Sequence, residues 1–106
     1  MPKYLFEVDY TAAGTKGLIQ DGGSKRKAVI EKAIKKLGGK VECFYFTFGI
    51  RDAIVIVDLP DNVTAAGTSL AVSASGAVAF KTTVLLTPKE IDAAVGKSVP
   101  YTPPGA

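Results

Sequence analysis

Six polar side chains in this sequence are of kinds that could do chemistry if folding gathered them: Asp9, Tyr10, Tyr45, Arg51, Asp52 and Lys81. An acid, a guanidinium and a phenol around one cleft could hold a small carboxylate or pass a proton. Tyr10, Tyr45, Arg51, Asp52 and Lys81 therefore form the candidate ligand-binding cleft, and a small anion is the ligand they would suit. A plainer reading takes precedence: salt bridges at a turn or between subunits, with aromatic packing around them, because no spacing among these residues defines a motif. Glu7 and Asp9, two apart on one strand, could make an acid/base pair or hold a cation. They are expected instead to meet lysines across an interface.

The rest of the composition narrows the chemistry. The 106 residues include no histidine, which removes the commonest general base, metal ligand and near-neutral pH switch. A single cysteine, Cys43, allows no internal disulfide and points to a reducing compartment. Lying in an apolar strand with no basic neighbour in sequence, it reads as a small buried hydrophobe and not as a nucleophile. There is no Walker loop, no nucleophile elbow and no Cys/His metal set, so no metal, no cofactor and no catalytic residue is assigned. Pro2 could serve as a base only at a free N-terminus; behind Met1 its nitrogen is an amide. Nothing at the start resembles a signal peptide and no apolar run reaches membrane-spanning length, so the expectation is a cytoplasmic protein with no membrane partner.

Charge is unevenly placed. The net charge is only +3, yet eight of the thirteen basic residues fall between Lys16 and Lys40. A solvated helix face accounts for them. Anion or nucleic-acid binding through that helix is the alternative, disfavoured for nucleic acid because no base-reading motif accompanies the cluster.

Alternation and punctuation give the elements that would position these groups. Lys3 to Tyr10 reads as a strand with Tyr4, Phe6, Val8 and Tyr10 on one side. Thr11 to Gly23 reads as a short helical turn and loop, broken by glycines. Ser24 is then the expected N-cap of a helix to about Leu37, with Ile30, Ala33, Ile34 and Leu37 as its apolar stripe and Gly38-Gly39 as its end. Val41 to Phe48 and Ala53 to Leu59 form a hairpin, turning at Gly49-Ile50-Arg51-Asp52, where Gly49 is expected to supply a positive φ. Pro60 closes that strand, and Asp61 or Asn62 caps a helix to about Ser75 that would bury Val63, Gly67, Leu70, Ala71 and Ala74. Its many small residues are read as simple close packing. Val78 to Leu86 is a fourth strand; Thr87-Pro88-Lys89-Glu90 opens a last helix to about Ser98, before an extended tail over residues 100–106.

The order β-α-β-β-α-β plus a terminal helix predicts a single α+β domain over residues 1–106, ferredoxin-like, with an antiparallel sheet, both long helices on one face, and strands one and three central. The hairpin then poses a problem. Phe44, Phe46 and Phe48 fall on one side of the first strand and Val41, Cys43 and Tyr45 on the other; Ile54 and Ile56 oppose Ala53, Val55, Val57 and Leu59. A sheet with one wet face should alternate apolar with polar, and these strands do not. A homo-oligomer paired through the sheet face is the expected solution.

Several stretches resemble the GYD-domain family: Pro2-Lys3-Tyr4-Leu5; Phe44-Tyr45-Phe46 leading to Gly49 and Asp52; Val55-Ile56-Val57-Asp58-Leu59-Pro60-Asp61; Thr82-Thr83; and Leu85-Leu86-Thr87-Pro88. The resemblance implies a ferredoxin-like fold of the dimeric α/β-barrel type in small bacterial proteins, and it implies no mechanism. Where the family has the tyrosine of its Gly-Tyr-Asp turn this sequence has Arg51, so any role of that ring does not carry over. Function is expected to be that of an oligomeric small-ligand-binding or assembly protein, with a small cofactor-independent enzyme using the Tyr/Arg/Asp cleft as its rival.

Overall fold

The computed structural model describes residues 1–106. Strict alternation in β1 (Lys3–Tyr10) sends Tyr4, Phe6 and Val8 into the core and leaves Lys3, Leu5, Glu7 and Asp9 on the other face. Three partners complete an antiparallel sheet: β2 (Lys40–Phe46), β3 (Ala53–Asp58) and β4 (Val78–Leu85), in the spatial order β2-β3-β1-β4. Strands β1 and β3 are central, as right-handed crossovers require. The result is the expected ferredoxin-like α+β fold.

Four helices accompany the sheet: α1 (Ala12–Asp21), α2 (Gly23–Lys36), α3 (Asn62–Ala74) and α4 (Pro88–Val95). The segment expected to be a turn and loop is thus a ten-residue helix, opened by the Thr11 side chain, which accepts a hydrogen bond from the amide of Gly14 at 3.2 Å. Gly22, at φ +80, ends α1 and begins α2 at once, so the cap falls two residues before Ser24. Helix α2 packs on β2, α3 on β4, and α1 on α2 and β1. Ile34 of α2 and Ala65 of α3 reach the core around Tyr4, Phe6, Val55, Val57 and Leu59. The Tyr4 hydroxyl donates to the Asn62 side chain at 2.7 Å, tying the start of α3 to the centre of the sheet.

Three packing expectations change. First, β2 carries a bulge at Glu42, between the pairs Val41↔Val57 and Cys43↔Ile56. One extra residue reverses parity, so Val41 and Phe44 share the helix side while Cys43 and Tyr45 share the open side. Val41 therefore packs with Val55 and Val57 on the core side, so these three valines, among those the helices were not expected to cover, do not face a partner, and Cys43 is half-buried on the open face. Secondly, β2 ends at Phe46; Phe48 lies in the loop, fully exposed. Gly49 has no positive φ, because Thr47 to Asp52 is a wider loop closed by the Thr47 amide on the Asp52 carbonyl (2.9 Å) and the Thr47 hydroxyl on that of Arg51. Thirdly, α3 turns Ala65, Thr68 and Val72 inward, leaving Val63 and Leu70 in solvent. Its docking uses Ala65 and Val72 together with the Asn62–Tyr4 hydrogen bond, and not Val63 or Leu70.

The C-terminal part stands apart. Helix α4 has the expected capping box, with Thr87 and Glu90 each bonding the other's backbone amide, but none of its residues is buried. The radius of gyration is 17.0 Å, where a compact chain of this length would have about 13 Å. The excess reflects an arm, residues 86–106, extending from the sheet with Leu86, Ile91, Val95, Val99 and Tyr101 exposed.

Candidate functional site

Strand register arranges the open face in rows. Lys40, Asp58, Lys3 and Leu85 form the first; Cys43, Ile56, Leu5 and Thr83 the second; Tyr45, Ile54, Glu7 and Lys81 the third. Asp9 beside Ala79 ends the array. An apolar band thus runs through β2, β3 and β1, with charge at both ends.

Each charged end carries an internal ion-pair cluster, with Lys40 and Lys81 left outside. At one, Lys3 donates to Asp58 (2.8 Å) and to Glu42, the bulge residue (3.0 Å). Those bonds raise the Lys3 pKa, the hydrogen bond to Asp58 contributing most. At the other, Arg51 reaches back from the hairpin loop over β1, placing Nε 3.2 Å from Glu7 and an Nη 2.9 Å from Asp9. The guanidinium pKa is raised as well, first by its hydrogen bond to Glu7. Glu7 and Asp9 therefore bracket an arginine of their own chain. No group of three or more His, Cys, Asp or Glu side chains is gathered in a way that could hold a metal ion.

The candidate cleft residues are divided by the sheet. Tyr45, Arg51 and Lys81 share the open face. Asp52 lies at the end of the two central strands, its carboxylate accepting from the Tyr10 amide at 2.8 Å while its own amide donates to the Val8 carbonyl at 3.0 Å. The Tyr10 ring lies on the helix side, in the row of Val78, one row beyond Val8 and Phe80.

On that side Tyr10 borders a cavity of about 100 Å³, partly open to solvent, between the sheet and helices α2 and α3. Phe6, Phe44, Val55 and Phe80 belong to its apolar lining, and Thr68, Val72 and Ser75 of α3 face it. The alanines, glycine and other serines of α3, expected to bring helix and sheet together, do not border this space. Arg26 of α2 does border it and was missed from the sequence, where it was counted with the solvated basic residues. Its spacing could have marked it: Arg26 stands four residues before Ile30 and eight before Ile34, on the inward stripe of the helix. Burial pushes the Tyr10 phenol above its ordinary pKa, the nearby Arg26 charge pulls it partly back, and Asp52 adds a smaller upward push.

Comparison with known families agrees with this fold: the GYD domain pattern matches residues 4–95. The chain belongs to the GYD-domain family. No curated protein and no solved structure matches it. In this member of the family, the arginine standing at the tyrosine position of the turn is the residue that binds Glu7 and Asp9. No helix is long and apolar enough to cross a membrane.

Proposed function

We propose that this GYD-domain protein works as a homo-oligomer assembled through the open face of its sheet, as a binding or assembly protein and not as an enzyme using the Arg51 cluster. The observation that carries the reading is the apolar band of Leu5, Ile54, Ile56, Cys43 and Tyr45, which the chain's own helices leave uncovered. Completing the burial of half-buried Leu5, Ile54 and Ile56 against a second sheet is worth roughly 1 kcal/mol each, since full burial of such side chains gives about 1.5–3 kcal/mol. Self-pairing suits the charged ends as well, because Lys3 and Arg51 are already neutralised within the chain and so cost less to desolvate. The exposed apolar residues of the C-terminal arm support the same reading. The enzyme alternative is weakened because the Arg51 guanidinium is engaged by Glu7 and Asp9, leaving it less available to a substrate. The reading is for a bacterial cytoplasmic protein, supported by the lone cysteine and the family resemblance.

Sedimentation velocity at micromolar concentration tests it. The wild-type chain should sediment as an oligomer, and Ile56→Lys, in the middle of the band opposite both Leu5 and Cys43, should yield a folded monomer. A wild-type monomer, or an Ile56→Lys oligomer indistinguishable from wild type, would refute the proposal.

A further inference from the structure

We propose that the cleft between α2 and α3 binds a small monocarboxylate with a compact apolar body, a branched alkyl group or a single ring, its carboxylate held by Arg26 and Tyr10. Size sets the body. The cavity is about 100 Å³, and an apolar cavity of roughly 150 Å³ accommodates benzene, so a ring fits only with small adjustments and a branched alkyl group fits readily. Splayed helices make the space: α2 lies on β2 and α3 on β4, and Thr68 and Val72 of α3 do not fill the gap between them.

The polar groups around the cavity are not equally available. The Thr68 hydroxyl already donates to the Thr64 carbonyl (2.8 Å) and that of Ser75 to the Val72 carbonyl (2.6 Å), so both donors are spent within α3. The Arg26 side chain is held only loosely by an acid: Asp21 lies 3.8 Å away and is shared with Lys25 at 3.4 Å, while the Tyr10 phenol is its neutral neighbour. The Arg26 side chain is only one-third exposed and borders the cavity. Tyr10 is a phenol whose proton is retained at neutral pH, so it is available as a second donor. One cation and one neutral donor suit a monoanion; a phosphate would leave acceptor oxygens without partners. Water is a poor occupant, since each buried water needs two to four polar partners and this lining is mostly apolar. The site lies on the opposite side of the sheet from the proposed oligomer interface, so either proposal can fail without the other.

Calorimetric titration of the full chain with isovalerate and benzoate tests the assignment, with acetate (no apolar body) and benzyl alcohol (no charge) as controls. At least one of the two acids should bind saturably at one per chain, with each control about tenfold weaker or worse. Arg26→Met, which keeps an apolar stem and removes the charge, should weaken the acid by about tenfold or more while circular dichroism shows the fold intact. Nuclear Overhauser contacts from the bound acid to Val55 and Phe80 in the wild type give a reading independent of any variant. Absence of saturable binding by both acids, affinity unchanged in Arg26→Met, equal binding of benzyl alcohol, or contacts confined to Leu5, Ile54 and Ile56 would each overturn the proposal.

Discussion

Replacing Gly14 with alanine puts the placement of α1 to a quantitative test. Gly14 is buried in α1, and a Cβ built on it would lie 1.8 Å from the Ala77 carbonyl oxygen, a backbone atom that no side-chain rotation can move. Comfortable contacts begin near 3.5 Å, so helix and strand would have to part by roughly 1.5 Å. That carbonyl is also the acceptor for the Thr11 amide (3.0 Å) and the Thr11 hydroxyl (3.1 Å), which reaches Gly76 too (2.8 Å). Losing two or three such bonds, each worth about 0.5–1.5 kcal/mol, costs on the order of 2 to 4 kcal/mol. The better helix propensity of alanine returns up to about 1 kcal/mol. Gly17 is the internal control: it lies three residues on in the same helix, with nothing within 4 Å of its Cβ direction. Gly17→Ala should stabilise by about 0.5–1 kcal/mol. Urea melts at matched protein concentration compare them, since association would otherwise shift the apparent stability. A Gly14→Ala variant as stable as wild type, or a Gly17→Ala variant destabilised as much as Gly14→Ala, would refute the reasoning about how α1 is seated.

Two further outcomes follow from the same structure. Deleting residues 88–106 in an Ile56→Lys background should leave the melting temperature nearly unchanged, because no residue of α4 is buried; in the wild-type background it should weaken self-association by sedimentation, and unchanged assembly would remove the arm from the interface. Asp61 caps α3 by accepting from the Thr64 hydroxyl (2.7 Å) and amide (2.8 Å), which holds its carboxyl below the ordinary value of 3.8. Its folded pKa is depressed, so its contribution is complete above the unfolded value and is lost as pH falls through the folded one. Asp61→Asn keeps a capping oxygen and should flatten this part of the acid limb in melts between pH 5 and pH 2, about the range where carboxylates titrate; an unchanged limb would count against the cap.

Periodicity made the sheet legible, and it failed wherever one residue broke the period. Alternation in β1, β3 and β4 grouped the side chains correctly by face, because a strand's side-chain period of two admits no drift, but it left open which face of β3 meets the helices. In β2 the bulge at Glu42 shifted the parity from one side of the strand to the other. A bulge has no composition signal of its own; Glu42 in an apolar run was the one visible irregularity, and Lys3 is the partner that accounts for it. Helix α3 was misjudged for a different reason. Its apolar residues are many and small, so more than one face could serve, and the Asn62–Tyr4 contact that helps fix the choice joins residues 58 apart in sequence.

The site was less legible than the fold because chemistry in this protein is divided by the sheet. Tyr10 and Asp52 are joined through the Tyr10 amide, yet the Tyr10 ring and the Arg51 guanidinium lie on opposite faces. Residue type alone suggested one cleft containing both. The open face instead pairs Lys3 and Arg51 with acids of the same chain, which leaves a band suited to a second sheet. On the helix side the decisive group is Arg26, concealed in the sequence among seven other basic residues between positions 16 and 40. It differs from its neighbours only in sharing the stripe of Ile30 and Ile34, where a solvated cation has no reason to stand. An inward cation on an apolar stripe is stabilised by an anion; its one acid, Asp21, is 3.8 Å away and shared with Lys25, and the cavity lining supplies no other. The same spacing that builds the core therefore carries the strongest indication of a ligand.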